Sequence, residues 1–577
     1  MYINISNLTK RVCWKKLLNT FKTTNVSIRC SFVTSPHENV DIPNTTLAEF
    51  MFESFNKYSN ETAVECSQTG KKYTYNEIRI KSKNFNNNLR KKLKLNKGDV
   101  IGVMLPNVPD YPICLLGSIQ AGLTVTLINP FYTADEISYQ LNDANVKAII
   151  TLGAVYSTAK AAAQISQKNI PILAVKLKQA DELPRGSINL NEFTENAMEV
   201  EDIHNLNVQD TILLPFSSGT TGLPKGVELT HYNIIANICQ LNCNTVDHVP
   251  TRTETHTNTV PAILPWFHIY GTTVCLFKQM HNLSKIISVP TFTPNGFIEL
   301  LKQHKPNILY LVPPLISFMS SNPSIKPEFL DRLTVITSGA APLGKLDEEK
   351  FITKIGRHVD IFQGYGLTET SPAIAISTSQ LIKKFGNTGS CGLVVPNTSI
   401  KIVSPENPST ELLGTNQKGE ILIKGPQVMK GYLNRPKETN QVFLDGWLRS
   451  GDLGYLDDNN LLYVTDRLKE IIKVKGYQVA PAELEEILRS YKDVSDAGVI
   501  GVPDSTSGEV PVAFVVPKLN TNIDVKSLHH YMSKKVASYK QLKGGIIVVN
   551  SLPKTGSGKL LRKELKLQYE KTKISYK

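Results

Sequence analysis

The alternation of short apolar runs with amphipathic segments predicts an α/β fold from about residue 50 to residue 400. Runs rich in β-branched residues predict strands at 146–151, 211–216, 307–312, 333–337 and 359–362. Apolar residues recur at helical spacing between these runs, and Thr133 with Glu136 forms a capping box that predicts a helix start. Such alternation is typical of largely parallel sheets, whose ligands gather at the carboxyl ends of the strands. We therefore expect functional loops directly after these strands.

The pattern changes in roughly the last hundred residues. A helix is predicted from Pro481, strands at 497–502 and 511–517, and a further helix at 525–536. This order of elements predicts a compact α+β lobe beside the larger domain.

The longest stretch without charged residues covers residues 111–134. It contains Gly117, Gly122, Asn129 and Pro130, which would interrupt a continuous bilayer-spanning helix. We predict a buried helix followed by a buried strand in this stretch, and no transmembrane segment.

The charge of the chain is concentrated near its start. The 577 residues include 64 Lys and Arg against 51 Asp and Glu, a net charge of +13. Six of the basic residues lie within the first 37 positions, and no acidic residue precedes Glu38. A basic, amphipathic, acid-free start is typical of a mitochondrial transit peptide, and an ordinary basic tail is the alternative. The mild basicity of the remainder suits anionic small molecules and requires no nucleic-acid partner.

The segment SSGTTGLPKGV follows the strand predicted at 211–216. Its residues 217–225 combine glycines, hydroxyl side chains and Lys225, so that N–H and O–H donors can surround phosphate oxygens beside a cation. The pattern differs from the Walker A motif, and a plain polar surface loop would not require so many donors after a strand. We call residues 217–225 the phosphate loop and predict that it binds a polyphosphate.

The segment GYGLTET at 364–370 follows the strand predicted at 359–362. Thr368 and Glu369 place a hydroxyl and a carboxylate side by side, and such hard oxygen ligands suit Mg²⁺ carried on a triphosphate. A lone glycine pair is common in tight turns. The prediction therefore depends on the neighbouring motifs.

Two further segments indicate a pocket. The small residues of SGAAP at 338–342 would let a flat ring approach the backbone, and PWFHIYG at 265–271 surrounds His268 with aromatic residues. A histidine among aromatic residues is most often packed in a core, and it is the companion motifs that favour a pocket-facing position here.

Charged residues cluster where the smaller lobe is predicted to begin. Asp452 lies in a Ser-Gly-Asp turn and is suited to accept hydrogen bonds from ribose hydroxyls. Cations follow at positions 467, 469, 473 and 475, a density that a solvated basic face could also explain. Lys559 follows a Thr-Gly-Ser-Gly loop just before a helix, where movement of the lobe could carry it into a cleft.

Taken together, these motifs resemble the adenylate-forming superfamily, in the branch of 4-coumarate–CoA ligases, firefly luciferase and acyl-CoA synthetases. The resemblance runs from about residue 45 to the end. Beside the basic segment at 1–38, it implies a large AMP-binding domain of several subdomains at 39–466 and a smaller mobile α+β domain at 467–577. It also implies two half-reactions. A carboxylate attacks the α-phosphate of Mg²⁺–ATP to give an acyl-adenylate and pyrophosphate, and the CoA thiol then attacks the acyl carbon and releases AMP.

The resemblance further implies roles for individual nucleotide-site residues. The phosphates would be held by Ser217, Ser218, Gly219, Thr220, Thr221 and Lys225. The adenine would be lined by Ala340, Ala341, Gln363, Gly364 and Tyr365. Thr368 would contact the α-phosphate, Glu369 would bind Mg²⁺, and Asp452 would bind the ribose with support from Arg467.

The same resemblance implies catalytic and acyl-site residues. Lys559 is similar to the lysine of the adenylation step, whose cation bridges carboxylate and phosphate oxygens. The lobe would then rotate about Lys469 and bring to the CoA site Lys473, Lys475, Gly476 and Gln478. The acyl pocket would be shaped by His268, Tyr270, Gly339, Pro372 and Ala373. The chain departs from plant coumarate ligases at Thr291, where they carry a lysine that can contact CoA phosphate, and has Val474 where tyrosine is more frequent.

The predicted function is an ATP-dependent carboxylate–CoA ligase for a medium-chain fatty acid or a 4-coumarate-like aryl acid, with ATP, Mg²⁺ and CoA. A luciferase-like monooxygenase and an adenylation enzyme that loads a carrier protein are the alternatives. The final Ser-Tyr-Lys differs from the peroxisomal Ser-Lys-Leu address. With the basic start, we expect a mitochondrial matrix location, and cytoplasm or peroxisome as alternatives.

Overall fold

The protein is described by a computed structural model with two unequal domains. The structure covers residues 32–575 except 197, 200–205, 218–223, 247–248, 250, 341–342, 387–388, 410, 469, 475–476, 505–506, 537 and 556–557.

The helices are α1 Leu47–Phe55, α2 Tyr75–Lys91, α3 Tyr111–Gln120, α4 Ala134–Asp143, α5 Tyr156–Ile165, α6 Asn191–Thr194, α7 His231–Leu241, α8 Lys278–His281, α9 Pro294–His304, α10 Pro313–Ser321, α11 Lys345–Ile355, α12 Ser379–Phe385, α13 Pro436–Val442, α14 Pro481–Arg489, α15 Val525–Lys535 and α16 Arg562–Ser575. A π-helix, Tyr270–Phe277, leads directly into α8.

The strands are β1 Val33–Thr34, β2 Thr62–Cys66, β3 Lys72–Thr74, β4 Val100–Met104, β5 Thr124–Leu127, β6 Val146–Leu152, β7 Ile172–Val175, β8 Ile188–Asn189, β9 Thr211–Ser217, β10 Lys225–Thr230, β11 Thr259–Ala262, β12 Lys285–Ser288, β13 Ile308–Leu311, β14 Val335–Ser338, β15 Asp360–Gly366, β16 Ala373–Ile376, β17 Leu393–Val394, β18 Ser399–Val403, β19 Gly419–Lys424, β20 Gly431–Tyr432, β21 Phe443–Leu444, β22 Trp447–Leu456, β23 Leu462–Arg467, β24 Ile472–Val474, β25 Tyr477–Val479, β26 Val494–Asp504, β27 Gly508–Pro517 and β28 Ile546–Val548.

The central sheet has the strand order β20-β10-β9-β5-β4-β6-β7-β8. The pairs from β9 to β8 in this order are parallel, and the β9–β10 and β10–β20 pairs are antiparallel. The uncharged stretch forms α3 and β5, and all residues of β5 and all but the last of α3 are buried. This confirms the prediction of a buried helix and strand, because a central parallel strand is covered on both faces. In the described part of the chain, no helix has the length and apolar character needed to cross a membrane.

A second sheet has the order β13-β14-β15-β16-β17, with β13, β14 and β15 parallel. Strands β13, β14 and β15 correspond to three of the five strands predicted between residues 146 and 362. The other two are β6 and β9 of the central sheet. The end predicted for the last parallel strand of this sheet is too early. The strand expected at 359–362 continues as β15 to Gly366, because Gly364 and Tyr365 pair with Ile376 and Ala375 of the antiparallel β16. The Gly-Tyr-Gly segment is therefore the last part of the strand. A third sheet, β11-β12-β2-β3, completes the α/β part.

An antiparallel sheet, β1-β18-β19-β22-β21 with β23 beside β22, connects this body to the smaller lobe. The edge strand β1 pairs Val33 with Ile400 and Thr34 with Ser399, so the sheet includes two residues of the segment predicted at 1–38. Strand β23 ends at Arg467, where the smaller lobe is predicted to begin.

The smaller lobe contains the sheet β25-β24-β27-β26, with β28 beside β27. Helices α14 and α15 begin at Pro481 and Val525, as the sequence predicts. Leu484 and Leu488 of α14 and Leu528 of α15 lie in one apolar core with the sheet. The α+β architecture of the lobe is confirmed.

Candidate active site

The base of the phosphate loop lies beside Glu369. Ser217 is the last residue of β9, and its hydroxyl donates a hydrogen bond to Glu369 Oε1 at 3.1 Å. The hydroxyl of Tyr432 donates to the same oxygen at 3.0 Å. Burial and the Glu369 carboxylate raise the pKa of Tyr432, which keeps the phenol protonated as a donor. The Lys225 ammonium stands 5.2 Å from the centroid of the Tyr432 ring. The two motifs that the sequence separates by about 150 residues therefore meet at one strand end.

Thr368 and Glu369 lie in a short 3-10 turn, Thr368–Thr370, directly after β15. The turn is fixed by main-chain contacts, since the Met429 N–H donates to the Glu369 carbonyl at 2.8 Å. The hydroxyl of Thr370 donates to the Pro372 carbonyl at 2.6 Å. A fixed turn of this kind holds the Glu369 carboxylate in a defined direction.

Asp452 lies on β22 in a buried position, with 5% of its surface exposed. The hydroxyl of Tyr365 donates to Asp452 Oδ2 at 2.7 Å, and Arg467 Nε lies 3.4 Å from Asp452 Oδ1. Burial raises the pKa of Asp452, and the Arg467 guanidinium opposes that shift. A carboxylate held between a phenol and a guanidinium presents hydrogen-bond acceptors in a defined direction, as a diol ligand requires.

Lys559 reaches this cluster from the smaller lobe. Burial lowers the pKa of its amine to about 8, and the nearby Arg467 guanidinium adds to the shift. Asp452 and Glu369 act in the opposite direction, so the amine lies close enough to feel the site carboxylates. A Cβ on the preceding Gly558 would lie 3.4 Å from the Pro314 ring at the start of α10, so the lysine loop passes close to the large domain. The structure thus brings Lys559 together with the nucleotide-site residues.

The carboxyl end of β14 lies beside the middle of β15, because Ser338 pairs with Gln363. Ala340 follows with a positive φ of 68°. The Gln363 side chain is buried, and its Oε1 accepts from the Leu343 N–H at 3.0 Å. The side chain of Gln363 therefore orders the segment after residue 342, and the adenine contact expected of it stays a prediction.

The residues expected to shape the acyl pocket gather around Tyr270. Its hydroxyl donates to the Thr337 carbonyl at 3.2 Å, and a Cβ on Gly339 would lie 3.0 Å from the Tyr270 ring. Tyr270 and Ala373 pack on the same apolar cluster. Burial lowers the pKa of His268 to about 4, so the imidazole is neutral near pH 7. Pro372 follows a cis peptide bond and is buried.

Some predicted site residues lie outside the described part of the chain: Ser218, Gly219, Thr220, Thr221, Ala341, Lys469, Lys475 and Gly476. Lys473 and Gln478 pair across the β24–β25 hairpin, and their side chains are not described. The thiolation set therefore stays a prediction.

Sequence reasoning missed one residue that contacts the site and another that holds the lysine loop. Tyr432 binds Glu369, and Arg562 pairs with Glu470 and Glu485, in both cases at 2.7 Å. Arg562 lies three residues after Lys559 and so joins the lysine loop to the start of the lobe. Arg562 is a cation at the start of a helix, and its two acidic partners lie in other segments of the chain. No local sequence pattern links these residues, so their pairing is visible only in three dimensions.

Comparison with known proteins agrees with this geometry. A family model described as AMP-binding enzyme matches residues 51–433, and the model of its C-terminal domain matches residues 483–559. The first match alone covers more than half of the chain. The chain therefore belongs to the AMP-binding enzyme family.

Relatives and solved structures extend the similarity to almost the whole length. The chain is 36% identical to the probable 4-coumarate–CoA ligase 1 of Dictyostelium discoideum, over 93% of this chain and 97% of that protein. It is 36% identical to 4-coumarate–CoA ligase 1 of Arabidopsis thaliana, over 91% and 93%. The fold is similar to ATP-bound MatB from Rhodopseudomonas palustris, with a TM-score of 0.79, 25% identity and coverage of 91% and 99%. It is also similar to o-succinylbenzoate CoA synthetase of Bacillus subtilis in complex with an acyl-adenylate, with a TM-score of 0.74, 26% identity and coverage of 91% and 98%.

Proposed function

We propose that this chain is an ATP-dependent carboxylate–CoA ligase that forms an acyl-CoA through an acyl-adenylate and releases pyrophosphate and AMP. The observation that carries the proposal is that the Lys559 amine of the smaller lobe lies within electrostatic reach of Asp452 and Glu369 of the large domain and of Arg467 at the domain boundary. A lysine with these neighbours lies where the negative charges of a carboxylate and a nucleotide would converge. The relatives named 4-coumarate–CoA ligase support the same reaction class.

The chain's own residues divide the adenylation step between them. Lys225 and the hydroxyl of Ser217 supply donors at the base of the phosphate loop, and Asp452 supplies acceptors for the ribose. The Lys559 cation would neutralise charge between the attacking carboxylate oxygen and the α-phosphate. Preorganised charge of this kind typically contributes about 3–4 kcal/mol to the transition state. Thr368, in the turn beside Glu369, is proposed as an α-phosphate contact.

Magnesium fits Glu369 only as an ion that arrives with the nucleotide. Among the described residues, no group of three or more His, Cys, Asp or Glu side chains is arranged to hold a metal. Glu369 instead offers one carboxylate beside the hydroxyls of Ser217 and Tyr432. Mg²⁺ bound by a single carboxylate normally takes its other ligands from phosphates and water. When bound, the ion would neutralise phosphate charge, and Glu369 would hold it.

The proposed acid is an aryl acid of the 4-coumarate type, with a medium-chain fatty acid as the second candidate class and hence a link to fatty acid metabolism. The names of the relatives support the first class. Tyr270 and the apolar cluster around it provide a wall that suits an aromatic ring or an alkyl chain.

The proposal is tested with a panel of acids assayed for AMP formation with and without CoA. The ligase predicts that AMP release depends on both acid and CoA, and that 4-coumarate-like acids give the highest kcat/KM. The Lys559→Ala variant is the control for background hydrolysis of ATP. AMP formation that needs no CoA but consumes oxygen would contradict the ligase and support a monooxygenase.

A further inference from the structure

The phosphate loop is closed at its base like a hairpin. Strands β9 and β10 are antiparallel, with Ser217 opposite Lys225 and Phe216 opposite Gly226. The positions of the Ser217 hydroxyl and the Lys225 ammonium therefore depend on how firmly this base is held. Pairing between the strands is one support, and a second comes from helix α4.

Tyr139 of α4 contacts the chain on both sides of the base of the loop. The edge of its ring meets the Phe216 ring at 89°, with centroids 6.5 Å apart. Its hydroxyl donates a hydrogen bond to the Pro224 carbonyl at 3.0 Å. Phe216 precedes Ser217 and Pro224 precedes Lys225. One side chain thus touches the residue before each of the two polar groups.

Arg435 holds Tyr139 in this position. Its guanidinium donates to the Tyr139 hydroxyl at 3.3 Å and forms an ion pair with Asp143, also on α4, at 2.5 Å. The same guanidinium donates to the Leu433 carbonyl at 3.2 Å. The hydrogen bond to Asp143 raises the pKa of Arg435, so the cation persists at all working pH values.

The cluster also connects to the opposite side of the loop. The Leu433 N–H donates to the Gly226 carbonyl at 2.9 Å, and the adjacent Tyr432 lies under Lys225. A cation that donates to a phenol oxygen makes the phenol O–H a stronger donor to its own acceptor. Arg435 therefore strengthens the bond between Tyr139 and Pro224 while it ties α4 to the segment after β20.

We propose that Tyr139, held by Arg435 and Asp143, is a positioning residue that sets Ser217 and Lys225 for the β- and γ-phosphates of the nucleotide. The inference rests on the proposed function, since it assumes that the phosphate loop binds ATP. It assigns Tyr139 no contact with the substrate. Loss of its hydroxyl should therefore affect a triphosphate and leave a monophosphate unaffected.

The first test is the Tyr139→Phe variant, which removes the hydroxyl and keeps the ring against Phe216. Equilibrium binding of ATP and of AMP is measured by isothermal titration calorimetry. Because a single hydrogen bond typically changes an equilibrium by about fivefold, we expect the Kd for ATP to rise about fivefold and the Kd for AMP to be unchanged. In carboxylate-dependent ATP–pyrophosphate exchange, the KM for ATP should rise while the KM for the acid and the melting temperature stay constant.

The matched control is Tyr463→Phe, which removes a tyrosine hydroxyl on β23 whose ring stacks on Tyr455. It should bind ATP and AMP like the wild type. Equal weakening of ATP and AMP by Tyr139→Phe, together with a lower melting temperature, would mean a general structural role and would overturn the inference. Unchanged ATP affinity in Tyr139→Phe would overturn it as well and leave the proposed function intact.

The second test is a double-mutant cycle with Arg435→Gln. If Arg435 acts through Tyr139, Arg435→Gln should raise the Kd for ATP in the wild-type background and have little further effect in Tyr139→Phe. Full additivity of the two changes would contradict the proposed relay. Wild-type protein that neither binds ATP nor catalyses exchange would overturn the proposed function itself, and this inference with it.

Discussion

Lys559 is the residue whose environment most directly links structure to reactivity. Burial and Arg467 lower the pKa of its amine to about 8, because neither favours a positive charge. A bound triphosphate would add negative charge beside the amine and raise that pKa again. Binding of ATP and protonation of Lys559 should therefore support each other.

This linkage predicts a pH dependence. The Lys559 cation is lost as pH rises through its pKa, so kcat/KM for ATP in ATP–pyrophosphate exchange should fall above about pH 8. The profile of kcat, which reports the nucleotide complex, should fall only at higher pH. Lys559→Arg stays charged throughout this range and should lose the descending limb near pH 8. A limb that persists in that variant would assign the titration to another group.

Removal of the amine should separate the two half-reactions. Lys559→Ala should lower ATP–pyrophosphate exchange by about 10²–10³-fold, as expected for the loss of a preorganised electrostatic group. Conversion of a supplied acyl-adenylate to acyl-CoA should be largely retained. Lys563→Ala removes an exposed lysine from the first turn of α16 and serves as the control. Equal loss of both half-reactions in Lys559→Ala would contradict a role confined to adenylation.

At the scale of elements, local signals predicted most of the fold. The capping box of Thr133 and Glu136 is present at the start of α4, because its donors and acceptors lie within four residues of chain. The π-helix Tyr270–Phe277 was not predicted. Seven of its eight residues are buried, so the segment has no polar face whose spacing along the sequence would indicate a helix. The strand predicted to end at Phe362 continues to Gly366, whose missing Cβ lets the Pro372 carbonyl approach.

The candidate site was predicted only in part, for a related reason. Each motif was identified from its own composition. The contacts of Ser217 with Glu369 and of Tyr365 with Asp452 join residues 152 and 87 positions apart. No local pattern encodes such pairs, and Tyr139 and Arg435 belong to segments without any motif. Residues that support a site from distant elements therefore require the fold.

The π-helix yields a prediction about the aromatic loop that precedes it. A Cβ on Gly271 would lie 2.0 Å from the Pro265 carbonyl oxygen, so Gly271→Ala must displace backbone next to His268. We expect the melting temperature to fall by about 2–6 °C, from the usual cost of overpacking, and the KM for the acid to rise. Gly344→Ala places its Cβ in open space and should change neither quantity. A Gly271→Ala protein with wild-type melting temperature and KM would refute this reasoning.

At the scale of the whole molecule, the smaller lobe places Lys559 within electrostatic reach of Asp452 and Glu369. Arg562 pairs with Glu470 near the lobe's first residues, and Asp466 of β23 accepts from the Ala482 N–H of α14 at 3.2 Å. These contacts fix the lysine loop relative to β23. They explain how Lys559, at the far end of the sequence, arrives beside Asp452.

The basic segment belongs to the same scale, because it concerns where the enzyme works. We propose that residues 1–37 direct the chain to mitochondria, since they combine basic and apolar residues without an acidic one. A fluorescent reporter fused behind residues 1–37 should colocalise with a matrix marker. The same fusion with its six basic residues changed to Gln is the control and should stay in the cytosol. A cytosolic distribution of the unaltered fusion would exclude the targeting role.

The pairing of β1 with β18 limits how far any maturation protease can shorten this polypeptide. Next to this strand pair, the Ser35 N–H donates a hydrogen bond to the Thr398 carbonyl at 2.9 Å, and the Ser35 hydroxyl donates to the Val394 carbonyl at 2.8 Å. Cleavage after Ser35 would remove β1 from the edge of the sheet. Strand β18 would then have an unpaired edge, which favours aggregation. The intact mass of the purified native enzyme should accordingly correspond to a first residue no later than Val33.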